Sequence, residues 1–283
     1  MSNDSKEECC YWPLWFSYLL PAIEQKYISK ILPLLQTAQV FLWRALNIYD
    51  DFLDGDQPSP KKLIEANNYY RRFLNIHFNL KLPDEYYKLL NNLLGLWENA
   101  NNKEVVRRKK SWKLQNIQLK KVNSSLTSLA DKSLVLALGP LALLFSLHYN
   151  LKSLVVTAAL DFWRYFLSAK QLSDDSRDWR DDLNDNIITM ANAPIATRLD
   201  VRSSELNSKL DDIKLQTLFI SHAAPMIISN LKTLGKQARA ALKKINRDKS
   251  PLILDKLVAP LETAAQKSEK FLKLSGLAIH KSL

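Results

Sequence analysis

Two aspartate clusters about 120 residues apart hold the side chains best suited to chemistry in this chain of 283 residues. The first is D-D-F-L-D, at Asp50, Asp51 and Asp54. The second is Q-L-S-D-D-S-R-D, with Gln171, Asp174, Asp175 and Asp178. Carboxylates are the hard oxygen ligands that Mg²⁺ prefers, and Mg²⁺ sites combine one or two of them with waters and substrate phosphates. Two such clusters facing each other could hold several metal ions around one diphosphate, an arrangement suited to pulling a diphosphate off carbon.

Each cluster needs an element to position it. A helix is expected to follow Pro33, with Val40, Trp43, Leu46 and Leu53 recurring at helical spacing. Asp50, Asp51 and Asp54 then stand at its C-terminal end, ahead of the breaker D-G-D-Q-P-S-P. Negative charge there opposes the helix macrodipole, a local cost unless a cation sits on it. In the second cluster Gln171, Asp174, Asp175, Asp178 and Asp182 fall at offsets 0, 3, 4, 7 and 11, which put an amide and four carboxylates on one helix face. Lys170, Arg177 and Arg180 could offset the repulsion but read as lying on other faces. A solvated acidic face is the simplest account of one cluster alone; two clusters of the same local form argue against it. Between them, Asp131-Lys132-Ser133 precedes an apolar run, where Lys132 could cap or snorkel, or reach a phosphate as a point charge.

The remaining pattern is helical. Helices are expected over 61–78, 84–99, 111–128, 130–148, 151–183, 204–223, 225–246 and 252–279, with a charged turn at 99–110 and a looser segment at 184–203. Five glycines in the whole chain argue against hairpin-rich and dinucleotide-binding folds. The expected architecture is all-α: an aromatic, apolar leading segment over 1–29, whose residues 11–21 read as buried or touching a membrane, and one helical domain over 30–283. The run from Ser133 to Leu147 is shorter than the roughly 20 residues of a bilayer span and contains Pro140, so a buried core helix is expected.

Cys9 and Cys10, the only cysteines, offer neither a disulfide framework nor zinc spacing. With acidic residues where a signal peptide is basic, they point to a cytoplasmic location. The net charge of +11 comes partly from the runs Arg107–Lys110, Lys120–Lys121 and Lys243–Lys249. No nucleic-acid-binding pattern accompanies them, so nucleic acid is not expected as a partner; a basic field also steers diphosphates and anionic membrane surfaces.

Taken together, these residues resemble the class I isoprenoid synthases, in the trans-polyprenyl diphosphate synthase and terpene synthase lineage. In that family one D-D-x-x-D faces a second, often preceded by Gln, and a Lys-Thr pair precedes an apolar helix between them. Asp50, Asp51 and Asp54 match the first, Gln171 with Asp174, Asp175 and Asp178 the second, and Lys132-Ser133 the pair, in the same order. The resemblance covers roughly residues 30–230. It implies an antiparallel helical bundle around a central apolar cavity, a homodimer, and three Mg²⁺ ions bound by the six aspartates. It also implies an allylic prenyl diphosphate substrate, with Lys132 and Gln171 toward its diphosphate. Tyr49, Phe52, Phe162, Trp163 and Phe166 could line the cavity, or pack as ordinary core.

Departures from the family pattern narrow the reaction. The N-terminal Gly-Lys-x-x-x-Pro element of chain-elongating members is missing. Lys61-Lys62-Leu63 stands where they carry Arg-Arg-Gly, which keeps charge near a diphosphate but loses the bidentate fork. The resemblance therefore implies a terpene synthase or cyclase ahead of an elongating prenyltransferase that uses isopentenyl diphosphate. Head-to-head coupling shares the fold, and D-S-R-D-W-R-D-D-L is faintly similar to that branch. A non-catalytic prenyl synthase subunit is disfavoured, because all six expected aspartates are present.

Overall fold

A computed structural model describes residues 8–54, 59–108, 126–185, 187–198, 209–246, 248–249 and 253–281. Among the described residues every regular element is helical and no strand occurs. The α-helices are α1 Trp12–Ser17, α2 Ala22–Ile28, α3 Leu32–Asp54, α4 Pro60–Asn79, α5 Asp84–Arg108, α6 Leu138–Ser146, α7 Leu154–Asn184, α8 Ala193–Ala196, α9 Lys209–Leu218, α10 Ala224–Ile245 and α11 Ala259–Lys281. The chain divides into two compact units. Unit 1 draws on Met1–Asn101, Asp131–Trp163 and Ala240–Ile253, and unit 2 on Asn102–Ala130, Arg164–Arg239 and Leu254–Leu283.

Unit 1 is built around α3. Its fully buried face is Leu35, Ala38, Leu42 and Ala45, spaced three and four residues apart as a helix stripe requires. Val40, Trp43, Leu46 and Leu53, the face expected from sequence, are only half-buried. The leading aromatic segment belongs to this core: Trp12 and Phe16 are buried, with the Trp12 ring stacked 4.8 Å from Trp163. The pairing of α3 with α4 is antiparallel, since Tyr49 bonds Asn67 while Phe41 stacks on Tyr69 at 6.0 Å and lies under Arg72.

The apolar run behaves differently from the continuous helix expected over 130–148. It begins as 3₁₀ turns, Leu126–Lys132 and Leu134–Ala137, and becomes α-helical only at Leu138, so that Pro140 falls in the first turn of α6. There its missing N–H leaves no intrahelical bond unmade. Leu134 through Phe145 is buried almost throughout, as expected of a core helix. Among the described residues no single helix is long and apolar enough to cross a membrane; the bent pair Leu126–Lys132 with Leu134–Ser146 passes that test by length and composition together. Helix α5 runs to Arg108, so the described part of the expected charged turn at 99–110 is helical. Most of the helix expected over 111–128 lies outside the described residues.

In unit 2, the helices expected over 204–223 and 225–246 meet without a break, joined by a π turn at Phe219–Ala223. A second π turn, Leu254–Val258, leads into α11. Each ends just before a proline, Pro225 or Pro260. A proline ring clashes with the carbonyl four residues back, and the wider turn relieves that clash without ending the helix. Helices α10 and α11 run antiparallel, tied by the two-pronged Arg239–Glu262 pair and by Lys232–Glu269 at 2.7 Å. Their core includes Leu172, Trp179, Leu183, Ile227, Leu231 and Leu234.

Candidate functional site

Each aspartate cluster is positioned by its own unit. In unit 1, Asp50 and Asp51 occupy the last turns of α3, Asp50 half-buried and Asp51 exposed. The Asp54 side chain lies outside the described residues. Lys132 ends the 3₁₀ turn that leads into the buried Leu134–Ala137 segment, and its Nζ stands 3.3 Å from Asp50 Oδ1. Two residues singled out separately in the sequence are thereby brought together. Lys132 is 26 % exposed and Asp50 50 %, so both groups can still reach a ligand.

Tyr49 is held beside this pair. Its hydroxyl donates to Asn67 Oδ1 at 2.6 Å, its ring lies 5.7 Å from Trp97, and burial raises its hydroxyl pKa above the ordinary tyrosine value. It thus donates a hydrogen bond as the neutral phenol, and it pins the end of α3 to α4.

Lys61 and Lys62 fall in the first turn of α4, both exposed. Lys62 pairs with Glu65 at 3.3 Å, and hydrogen bonds from Tyr69 and Lys62 hold the Glu65 carboxyl below its usual range. Lys61 lines an open groove of about 720 Å³ with Arg71, Asn67 and Asn68. The charge at these two helix ends runs against both macrodipoles. Carboxylates at the C-terminus of α3 favour an added cation, and lysines at the N-terminus of α4 favour an added anion.

In unit 2 the second cluster lies along α7, which the buried Leu172 and Trp179 hold against the core. Gln171 Nε2 donates to Asp175 Oδ1 at 2.7 Å. Asp174 is bracketed by two cations, Lys170 at 2.9 Å and Arg177 at 2.6 Å. This corrects the expectation that both lie on other faces. They stand four residues before and three after Asp174, spacings that put long side chains within reach, and that signal was present in the sequence. Arg180 turns away from the cluster to Asp212 at 3.2 Å, with its guanidinium 5.3 Å from the Trp179 ring. Asp178 is exposed.

Three of the aromatic residues considered for a cavity lining are core: Phe162 and Trp163 in unit 1, and Phe166 in unit 2, are all at least 95 % buried.

As a metal set, the residues of unit 1 have the right donor chemistry: hard carboxylate oxygens, accessible, in a field that favours a cation. Among the described residues no group of three or more His, Cys, Asp or Glu side chains is gathered closely enough to hold an ion. No family model matches the chain, and no curated protein matches it either.

Proposed function

We propose that the chain is a Mg²⁺-dependent class I isoprenoid synthase, of the isoprenoid synthase fold, that ionises an allylic prenyl diphosphate. Cyclisation or simple diphosphate lysis is preferred over chain elongation. The observation that carries the reading is the Lys132–Asp50 contact at 3.3 Å, which sets a diphosphate-type cation against a metal-type carboxylate. The order of the three motifs along the chain supports it further.

Asp50, Asp51 and Asp54 with Asp174, Asp175 and Asp178 are the residues that would hold Mg²⁺. When bound, the metal supplies charge neutralisation and Lewis-acid polarisation of the leaving diphosphate. The chain's own part begins with Lys132. Its ammonium, a compact charge with three donors, exchanges Asp50 Oδ1 for a diphosphate oxygen and holds that oxygen as negative charge builds on it. The carbon–oxygen bond breaks heterolytically, the electron pair leaves with the diphosphate, and an allylic cation remains. Lys170 and Arg177 screen Asp174 until the substrate complex forms, which limits repulsion between neighbouring carboxylates on α7. The neutral Tyr49 phenol keeps the α3 terminus fixed on α4 while Asp50 changes partner.

Chain elongation with isopentenyl diphosphate is the second reading, favoured by Lys61 and Arg71 sharing one groove. Incubation of the protein with Mg²⁺ and geranyl, farnesyl or geranylgeranyl diphosphate, with and without isopentenyl diphosphate, separates the two. Diphosphate release with hydrocarbon or alcohol products in its absence supports the cyclase. Longer diphosphates formed only in its presence support elongation. Absence of both turnover and Mg²⁺-dependent substrate binding overturns both.

A further inference from the structure

Two features that the proposed reaction leaves unused, the leading aromatic segment and the basic run after residue 242, come together in unit 1. Asn246 Nδ2 donates to the Leu19 carbonyl at 2.8 Å, and Lys249 Nζ to the Leu20 carbonyl at 2.7 Å. These bonds dock the chain carrying Lys243, Lys244 and Lys249 beside the start of α2. Asp248 is the one carboxylate within that stretch, and it is exposed.

Helix α2, which follows this junction in the chain, has two distinct faces. Ile28 is buried, whereas Ile23 and Tyr27 are 61 % and 72 % exposed. The chain stays near-helical past Ile28, through bonds from the Ile31 N–H to the Ile28 carbonyl and from the Leu35 N–H to the Ile31 carbonyl. The outward stripe therefore continues to Lys30 and to Leu34, which is 48 % exposed. Positions 23, 27, 30 and 34 follow helical spacing, and Lys26 flanks them. Tyr18 adds an exposed ring immediately before α2. The carboxylate on α2, Glu24, is turned inward and accepts a hydrogen bond from Tyr149 at 3.0 Å. The exposed face of α2 is thus aliphatic and aromatic with lysines and no outward acid, and Asp248 is the single exposed acid of the neighbouring basic run.

We propose that this face is a docking surface for an anionic lipid bilayer. Tyrosine rings suit the headgroup level, where one end is wet and the other apolar. Ile23 and Leu34 gain by entering the acyl boundary, and Lys26, Lys30, Lys243 and Lys244 attract negative headgroups. Nucleic acid would use the lysines but leave Ile23 and Leu34 in water, so the combination selects a membrane. This surface lies outside the aspartate clusters and does not depend on the reaction proposed for them.

The test is flotation of the full-length protein with vesicles of phosphatidylcholine alone and of phosphatidylcholine with phosphatidylserine at roughly three to one. Binding is expected only to the anionic vesicles and falls at least tenfold when salt rises from about 0.1 M to about 0.5 M. Ile23→Ser with Tyr27→Ser is expected to weaken binding by at least tenfold at low salt. A second variant, Lys26→Gln, Lys30→Gln, Lys243→Gln and Lys244→Gln, changes only exposed side chains and is expected to do the same. Equal binding to both vesicle types overturns the proposal. So does unchanged binding by both variants, or wild-type preference for a DNA duplex over anionic vesicles that only the lysine variant abolishes.

Discussion

Lys132 Nζ and Asp50 Oδ1 meet at 3.3 Å although a helix end and a distant 3₁₀ turn supply them. A half-exposed pair of this kind contributes little to stability, on the order of 0–1 kcal/mol. Its value under the proposed function lies in what each partner does when a diphosphate arrives.

Lys132→Ala and Asp50→Asn are therefore expected to unfold as the wild type does, within about 1 kcal/mol. Each is expected to lower diphosphate release from an allylic substrate by about 10²-fold or more, the scale of a lost charge-stabilising group. Lys132→Arg keeps the charge and is expected to recover part of the loss. Steady-state release assays beside chemical denaturation curves separate the two effects; an equal loss of stability and activity would point to a structural role.

Asp174 is shared between Lys170 and Arg177, and both compete with any added cation. Arg177→Gln is expected to lower the Mg²⁺ concentration for half-maximal activity by about two- to fivefold, the scale of one exposed ion pair. Magnesium titrations of the variant and the wild type check this, and a higher Mg²⁺ requirement in the variant contradicts it.

His77 is the buried titratable group with the clearest consequence for stability. It is fully buried in unit 1, its Nδ1 lies 2.6 Å from the Tyr86 hydroxyl, and burial lowers its pKa from 6.5 to about 3. Folded His77 therefore stays neutral while the unfolded chain takes up a proton below 6.5. The unfolded state binds more protons across that window, so this contribution is complete above 6.5 and is lost as pH falls toward 3, by about 1.4 kcal/mol per pH unit. Urea denaturation at pH 7, 6 and 5 is expected to show that slope, and His77→Phe to flatten it.

Gly139, in the first turn of α6, faces Gln39 of α3. A Cβ there would lie 2.7 Å from Gln39 Oε1 and 3.0 Å from Pro13 Cγ, and Gln39 is held by its bond to the Leu136 carbonyl. Gly139→Ala is expected to cost about 1–3 kcal/mol by overpacking. Gly95, inside α5, is the contrast, because a methyl group there would meet nothing within 4 Å. Gly95→Ala is expected to stabilise by about 0.5–1 kcal/mol through helix propensity. Denaturation midpoints of the two variants should move in opposite directions.

The helices themselves were largely legible from residue pattern. The expected α3, α4 and α7 agree with the observed ones to within a few residues; prolines and the acidic breaker mark the ends of α3 and α4. What periodicity could not decide was which stripe of α3 faces inward. Trp43 and Leu46 outrank Ala38 and Ala45 in hydrophobicity, yet the alanines are the fully buried residues, because the stripe that faces inward is set by which neighbouring elements pack on the helix. The π turn before Pro225 falls where the residue pattern reads as a break between two helices, because proline reads as a stop, whereas a helix held by packing can widen one turn and continue; the turn before Pro260 lies inside the helix expected over 252–279.

The all-helical class, the identity and order of the aspartate clusters, and the ion-pair spacing around Asp174 are written in the residue pattern, because they depend on residues a few positions apart. That Lys132 reaches Asp50, that His77 is sealed against Tyr86, and that Lys249 meets the carbonyl of Leu20 emerges from the folded chain alone. Those pairings depend on how separate helices pack, and no local period in the chain encodes them.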